Sequence, residues 1–200
     1  MHVGIESLLV RLSARVVFAA ATWTNAARSA ENIVVTAAEE GEFIVVNAAA
    51  ELPVAPSAAW EVLSDYERYA EFIPDMRSSR VLFRGANGTV VEQKGEFGFL
   101  FFRQAVEVRM AVLEFAPRRI VARAISGSFR ELAGRYEIND VPGGVRISYL
   151  GRLLPDFPLP PFIGLAVVRH DMEKQFSAMI EEIARRDGLE RGKAPRRAAQ

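Results

Sequence analysis

The chain has no cysteine, which removes disulfide staples, thiolate nucleophiles and cysteine-bound zinc from its chemistry. Histidine is scarce as well, with His2 near the N-terminus and His170 the only other. No His-Glu-x-x-His pair, Gly-x-Ser-x-Gly elbow, phosphate loop or dinucleotide-binding glycine pattern occurs, so the common hydrolase and nucleotide-enzyme readings lack their signatures. Neither sign of charge is in excess, since Lys plus Arg and Asp plus Glu both number 25; that balance gives no electrostatic footprint for nucleic acid. A membrane-spanning helix needs about 20 consecutive apolar residues, and Arg11 and Arg15 break the N-terminal stretch that comes nearest to one.

What remains is a composition of 50% hydrophobic and 25% charged residues over 200 positions, suited to one globular domain with short appendages. Arg11 and Arg15 precede the apolar Val16–Ala21, and small residues at Thr24 and Ala26 occupy cleavage-site spacing. Residues 1–30 therefore read as a signal peptide or a disordered leader, with a periplasmic or secreted location expected, and a cytoplasmic one if no export occurs. At the other end Arg191, Lys193, Arg196 and Arg197 make residues 188–200 a basic tail expected to be disordered and solvated.

Between these ends the periodicity changes twice. Phe43–Ala48 is β-branched and apolar and stops before Pro53 and Pro56, giving a first strand and then a helix start with Ser57 near its N-terminus. Trp60, Leu63, Tyr69, Phe72 and Ile73 recur every three or four residues, which predicts two short helices, the second capped by Asp65 and ended by Pro74. Alternating strands follow, punctuated by Asn87-Gly88, a turn at Gly95–Gly98, Ser126–Ser128 and Pro142–Gly144, with one long strand from Phe99 to Phe115. Short turns impose antiparallel pairing. The proline-rich segment Pro155–Pro161 leads into a long helix whose Leu165, Val168, Met172, Phe176, Met179 and Ile183 form one stripe.

Val54-Ala55-Pro56, Asp65-Tyr66 with Tyr69 and Phe72-Ile73-Pro74, the later Gly127-Ser128-Phe129-Arg130 with Gly134, and the helix from Phe162 to Arg186 follow one another in a familiar order. In that order the sequence resembles the coenzyme Q-binding START-domain family, also described as polyketide cyclase/dehydrase-like, within the helix-grip superfamily of START lipid carriers and the birch-pollen allergen. The resemblance covers residues 42–187. It implies an α+β helix-grip fold: a curved antiparallel sheet of about seven strands wrapped around a long C-terminal helix, with two short helices after strand one. It also implies a hydrophobic ligand cavity between sheet and helix.

The residue pattern is consistent with such a cavity. Phe102, Gln104, Val106, Val108, Met110 and Val112 share one strand face, Tyr136 and Tyr149 add hydroxyls to the next strands, and Gly134 and Gly151 permit curvature or leave space for a guest. Tyr66, Tyr69 and Phe72 from the helical elbow, with Leu165, Met172, Phe176 and Met179 from the closing helix, complete the expected wall. A filled core accounts for any one of these residues equally well. No catalytic residue, metal site or cofactor is assigned. His170 and Asp171 are adjacent on a helix, point different ways and read as surface residues; Glu107, Glu131 and Glu137 read as the outward half of their strands.

The expected function is non-enzymatic binding or transport of a hydrophobic small molecule: a quinone, an isoprenoid or an acyl lipid. Two alternatives stand beside it. One is a cyclase or aromatase-dehydratase in which Tyr136, Tyr149, Arg130 or Gln104 orients a polyketide. The other is an interaction module of the ribosome-association toxin type. Phe99, Phe101, Phe157 and Leu159 are the candidate exposed hydrophobes for peripheral membrane or partner contact.

Overall fold

The computed structural model describes residues 33–99 and 101–193; the expected leader and the end of the expected tail lie outside them. Eight strands form one antiparallel sheet: β1 Val34–Glu40, β2 Phe43–Leu52, β3 Met76–Gly85, β4 Gly88–Phe99, β5 Phe102–Phe115, β6 Arg119–Gly127, β7 Phe129–Val141 and β8 Gly144–Pro155. Their spatial order is β1-β2-β8-β7-β6-β5-β4-β3. Helix α1 (Pro56–Leu63), a single 3-10 turn at Tyr66–Arg68 and helix α2 (Tyr69–Phe72) make the elbow after β2, and helix α3 (Gly164–Lys193) closes the chain. This is the expected helix-grip arrangement.

The added strand is β1, ahead of the expected domain start at residue 42. Thr36, Ala37 and Ala38 give its alternation little apolar contrast, yet Val35 and Ala37 pack against the core while Gly41, at φ 65°, turns the chain into β2. Gly95–Gly98 is not a turn either. Strand β4 continues through it to Phe99, so the expected long strand begins at Phe102. Glycine serves there for close approach: a Cβ on Gly95 would lie 2.5 Å from the Asp75 carbonyl oxygen. At the far end, α3 runs six residues past Asp187, where Arg191 pairs with Asp187 at 2.7 Å and donates to the Pro53 carbonyl at 2.6 Å.

Asp65 makes no capping bond; its carboxylate accepts Arg186 Nη1 at 2.6 Å and so ties the elbow to α3. Pro56 begins α1, where its missing N–H is not needed. On the outer face, Glu92 lies between Arg80 and Arg109 across three strands, accepting hydrogen bonds at 2.6 and 2.9 Å. These guanidinium groups hold its carboxyl down at about 2. The ladder fixes edge strand β3 to the sheet by charge as well as by backbone pairing.

Strands β6 and β7 separate part-way along their length. Their pairing runs only from Arg119–Glu137 to Arg123–Ala133; beyond it β6 stays with β5 and β7 with β8. The interior divides into two packed clusters. One joins α1, the elbow and the lower half of α3 through Leu63, Tyr69, Ile147, Phe176 and Ile180, and the other joins Ile44, Val46, Phe97, Leu153, Val167 and Val168. Burial of this kind stabilises by roughly 25 cal/mol per Å² of apolar surface, and the two clusters between them leave a space unfilled.

Candidate functional site

That space is a cavity of about 220 Å³ between the concave face of the sheet and α3. A cavity of about 150 Å³ lined by aliphatic and aromatic residues holds benzene, so this one has room for a somewhat larger ring system or a chain segment. Its wall is mainly apolar. Val91 and Phe97 come from β4, Val106, Val108, Met110 and Val112 from β5, Ile120 and Ala122 from β6, Phe129 and Leu132 from β7, and Leu153 from β8. The elbow adds Leu63, Tyr66, Tyr69 and Ile73, and α3 adds Met172 and Met179.

Tyr136 and Tyr149 stand opposite each other in the β7–β8 register, their ring centres 4.7 Å apart. Beside them Gly134 pairs with Gly151. Cβ atoms on these glycines would lie 2.9 and 2.5 Å from the Tyr149 hydroxyl, so the space expected for a guest at the glycines is the seat of Tyr149's own phenol. Neither tyrosine hydroxyl has a hydrogen-bond partner among the described residues. Burial pushes Tyr149 up to about 12 and Tyr136 well above the ordinary tyrosine value, the latter also through its Tyr149 neighbour. Both are therefore protonated donors at neutral pH.

The elbow tyrosines are already engaged. Tyr69 donates to the Leu63 carbonyl at 2.6 Å, closing the C-terminus of α1, and Tyr66 donates to Glu114 at 3.0 Å. Burial raises both phenols, helped at Tyr66 by the Glu114 charge. Their rings wall the cavity while their hydroxyls serve the fold.

Nine of the fourteen residues expected from sequence meet at this cavity: Tyr66, Tyr69, Val106, Val108, Met110, Tyr136, Tyr149, Met172 and Met179. Five do not. Phe72 packs edge-on against Tyr69, with the Arg186 guanidinium 5.8 Å from its ring centre. Phe102 and Gln104 lie nearer the β4–β5 turn: Phe102 packs in the second cluster, and the Gln104 amide donates to the adjacent Ala105 carbonyl at 2.9 Å. Leu165 belongs to the same cluster, and Phe176 is fully buried in the filled part of the first. Arg130 is exposed and off the cavity. Among the proposed contact residues, Phe101 is 84% exposed. Phe157 instead packs on Phe97 and Phe129, and Leu159 is half-buried against the second cluster. Phe162, at φ 67°, is fully exposed.

One end of the cavity is polar. Asp75 from the α2–β3 turn, Gln93, Lys94 and Glu96 from β4, and Asp171 and Gln175 from α3 converge there. Lys174 bonds to Asp75 and joins α3 to the turn; Arg103 lies 3.5 Å from Glu96 and 3.9 Å from Asp75. Asp171, expected at the surface, is only 1% exposed. The signal was present, because Asp171 falls three residues after Val168 and four before Gln175, inside the apolar stripe rather than opposite it. Asp171, Met172, Gln175 and Met179 are the face of α3 that looks into the cavity.

Residues 52–180 match the family described as polyketide cyclase/dehydrase and lipid transport. The match spans more than half of the sequence, and the chain belongs to that family. No curated protein matches the chain. Among solved structures, the Zhui aromatase/cyclase from Streptomyces sp. R1128 is similar at TM-score 0.58 and 14% identity, covering 73% of this chain and 94% of its own. A START superfamily protein from Mycobacterium smegmatis matches at 0.57 and 16% identity over 72% and 97% of the two chains. A STAR-related lipid transfer protein fragment from Xanthomonas axonopodis matches at 0.57 and 11% identity over 74% and 98%. At these identities the likeness is one of fold.

Proposed function

We infer that this member of the polyketide cyclase/dehydrase and lipid transport family binds and carries a hydrophobic small molecule without altering it chemically. The observation that carries the reading is the unfilled apolar cavity with two unpartnered phenol donors on its wall. Both tyrosines line the cavity, and a guest carbonyl placed beside Tyr136 and Tyr149 would accept hydrogen bonds from their hydroxyls. The volume favours a compact ring or a single chain segment. A quinone ring, an isoprenoid end or an acyl end each meets that limit. Exposed Phe101 and Phe162 would give such a carrier apolar contact with a bilayer.

A second reading, cyclisation or dehydration of a polyketide, draws support from the aromatase/cyclase among the structural neighbours and from the same phenols. Acidity argues against it. A general acid works best with a pKa near the operating pH, and burial moves both tyrosines the other way. An interaction module with a solid core draws no support from a core that contains a cavity.

The test is organic extraction of the purified native protein followed by mass spectrometry, with turnover assays on a poly-β-ketone thioester in parallel. The carrier reading expects a co-purified hydrophobic compound and no turnover. Catalytic conversion that is lost in Tyr136→Phe or Tyr149→Phe while binding persists would replace it with the cyclase.

A further inference from the structure

Strand β4 sends Val91, Gln93 and Phe97 to the concave face, and one of the three is polar. Gln93 lies opposite Val108 of β5, another wall residue, and opposite buried Ser79 of β3. Gln175 stands on α3 between Asp171 and Met179, one helical turn from each, so its side chain shares their face. Each amide is held by one hydrogen bond that it donates, from Gln93 Nε2 to Ser79 Oγ at 3.4 Å and from Gln175 Nε2 to Asp171 Oδ2 at 2.7 Å. Their amide oxygens have no donor among the described residues. Nor are those oxygens shut away: the partnerless side-chain atoms sealed from solvent among these residues are Asp171 Oδ1 and Arg186 Nη2, and both glutamines are half-buried members of the cavity wall. The charged groups at this end are matched already. Lys94 pairs with Glu107 at 3.0 Å, Glu96 with Arg77 and Arg103, Asp75 with Lys174, and Asp171 with Gln175 and the Gly98 N–H. The polar groups left open to a guest are two amides and the phenols of Tyr136 and Tyr149, and none of them carries charge at neutral pH.

We propose that the amides of Gln93 and Gln175 are the contacts for the polar group of the cavity's ligand, and that this group is uncharged and both donates and accepts hydrogen bonds: a carboxamide or a hydroxyl, not a carboxylate. The proposal rests on the cavity-binding reading and narrows it, since free fatty acids and other anionic amphiphiles fall outside it. A primary amide offers a carbonyl acceptor and N–H donors side by side, so it complements a group of the same kind. An ion entering such a wall gives up its water without meeting an opposite charge, which is costly. A group with acceptors only, such as a ketone, finds donors in the phenols and leaves the two amide oxygens unused.

The test compares three probes of one shape, 2-naphthamide, 2-acetylnaphthalene and 2-naphthoate, by fluorescence titration of the full chain at neutral pH. One added hydrogen bond between neutral groups predicts that the wild type binds the amide roughly two- to twelvefold more tightly than the ketone. The naphthoate should bind at least about tenfold more weakly than the amide. In Gln93→Met, which keeps the length of the side chain, and in Gln175→Met, the margin of amide over ketone should shrink. Gln93→Lys sets a cation on the same wall and should tighten naphthoate binding. Gln175→Met frees Asp171 Oδ2, so where that variant folds poorly the two Gln93 variants carry the decision. An amide margin unchanged in the methionine variants, naphthoate bound as tightly as the amide by the wild type, or naphthoate affinity unmoved in Gln93→Lys overturns the assignment, while ketone binding keeps the cavity reading intact. Failure of the wild type to bind any of the three probes overturns both.

Discussion

Removing one hydroxyl from each of two tyrosines should divide the fold's requirements from the ligand's. In Tyr69→Phe the perturbation deletes the donor held 2.6 Å from the Leu63 carbonyl. That carbonyl belongs to the last turn of α1, where no following helical N–H reaches it, and Leu63 is 1% exposed. An orphaned buried acceptor costs about 1 to 3 kcal/mol. For a domain of this size each kcal/mol lowers Tm by about 2 to 4 °C, so a fall of roughly 2 to 12 °C follows. In Tyr149→Phe no hydrogen bond is lost, and the ring keeps its place against Tyr136 and over the glycine pair; stability should change by less than about 0.5 kcal/mol, the usual range where no buried contact is broken. Affinity should respond in the opposite sense. For a ketone probe such as 2-acetylnaphthalene, Tyr149→Phe should lose about 0.5 to 1.5 kcal/mol of binding, a roughly two- to twelvefold rise in Kd, while Tyr69→Phe leaves Kd near the wild-type value. Urea unfolding and fluorescence titration on the same preparations supply both readouts. A Tyr149→Phe variant destabilised by more than about 1 kcal/mol would mean that its hydroxyl is a structural partner, and the division of roles would fall.

Gly151→Ala places a Cβ 2.5 Å from the Tyr149 hydroxyl, forcing the phenol off its seat; overpacking predicts about 1 to 3 kcal/mol of destabilisation and weaker probe binding, whereas an unchanged urea midpoint would show that the ring moves freely. Glu92 and Glu182 both have folded pKa values of about 2, below the ordinary 4.5. Their contribution is therefore fully present above about 4.5 and lost as pH falls toward 2; unfolding midpoints from pH 6 to pH 2 should fall across that window, and less steeply in Glu92→Gln. Asp171 has the opposite sign, being raised above 3.8, so Asp171→Asn should gain stability relative to wild type as pH rises through and beyond that value. Export through the Val16–Ala21 segment predicts a mature chain beginning between Ala27 and Glu31; N-terminal sequencing from fractionated native cells that returns Met1 in the cytosol would refute it.

The period-two alternation of β5, β7 and β8 and the stripe on α3 were enough for strands with one apolar face and a long amphipathic helix, because side-chain direction along a strand or helix is set locally; the wrapping of the sheet around that helix came from the family resemblance. The same alternation placed Val106, Val108, Met110, Tyr136 and Tyr149 on the concave face. Periodicity assigns a face, however, and says little about distance along it. Phe102 and Gln104 share that face and still miss the cavity, because only the assembled sheet decides where its two packed clusters separate. Gly95 and Gly98 read as a turn from composition, yet they permit close approach between segments that the sequence holds far apart. Hydroxyl partners escaped for the same reason: Tyr69 and Tyr149 are alike in sequence, and only the packing gives one the Leu63 carbonyl and the other an open cavity. Asp171 was assigned to the surface because charged residues usually lie there; its burial depends on β4 reaching α3 through Gly98 and on Lys174 turning to Asp75. Those are contacts between elements that the chain brings together only on folding.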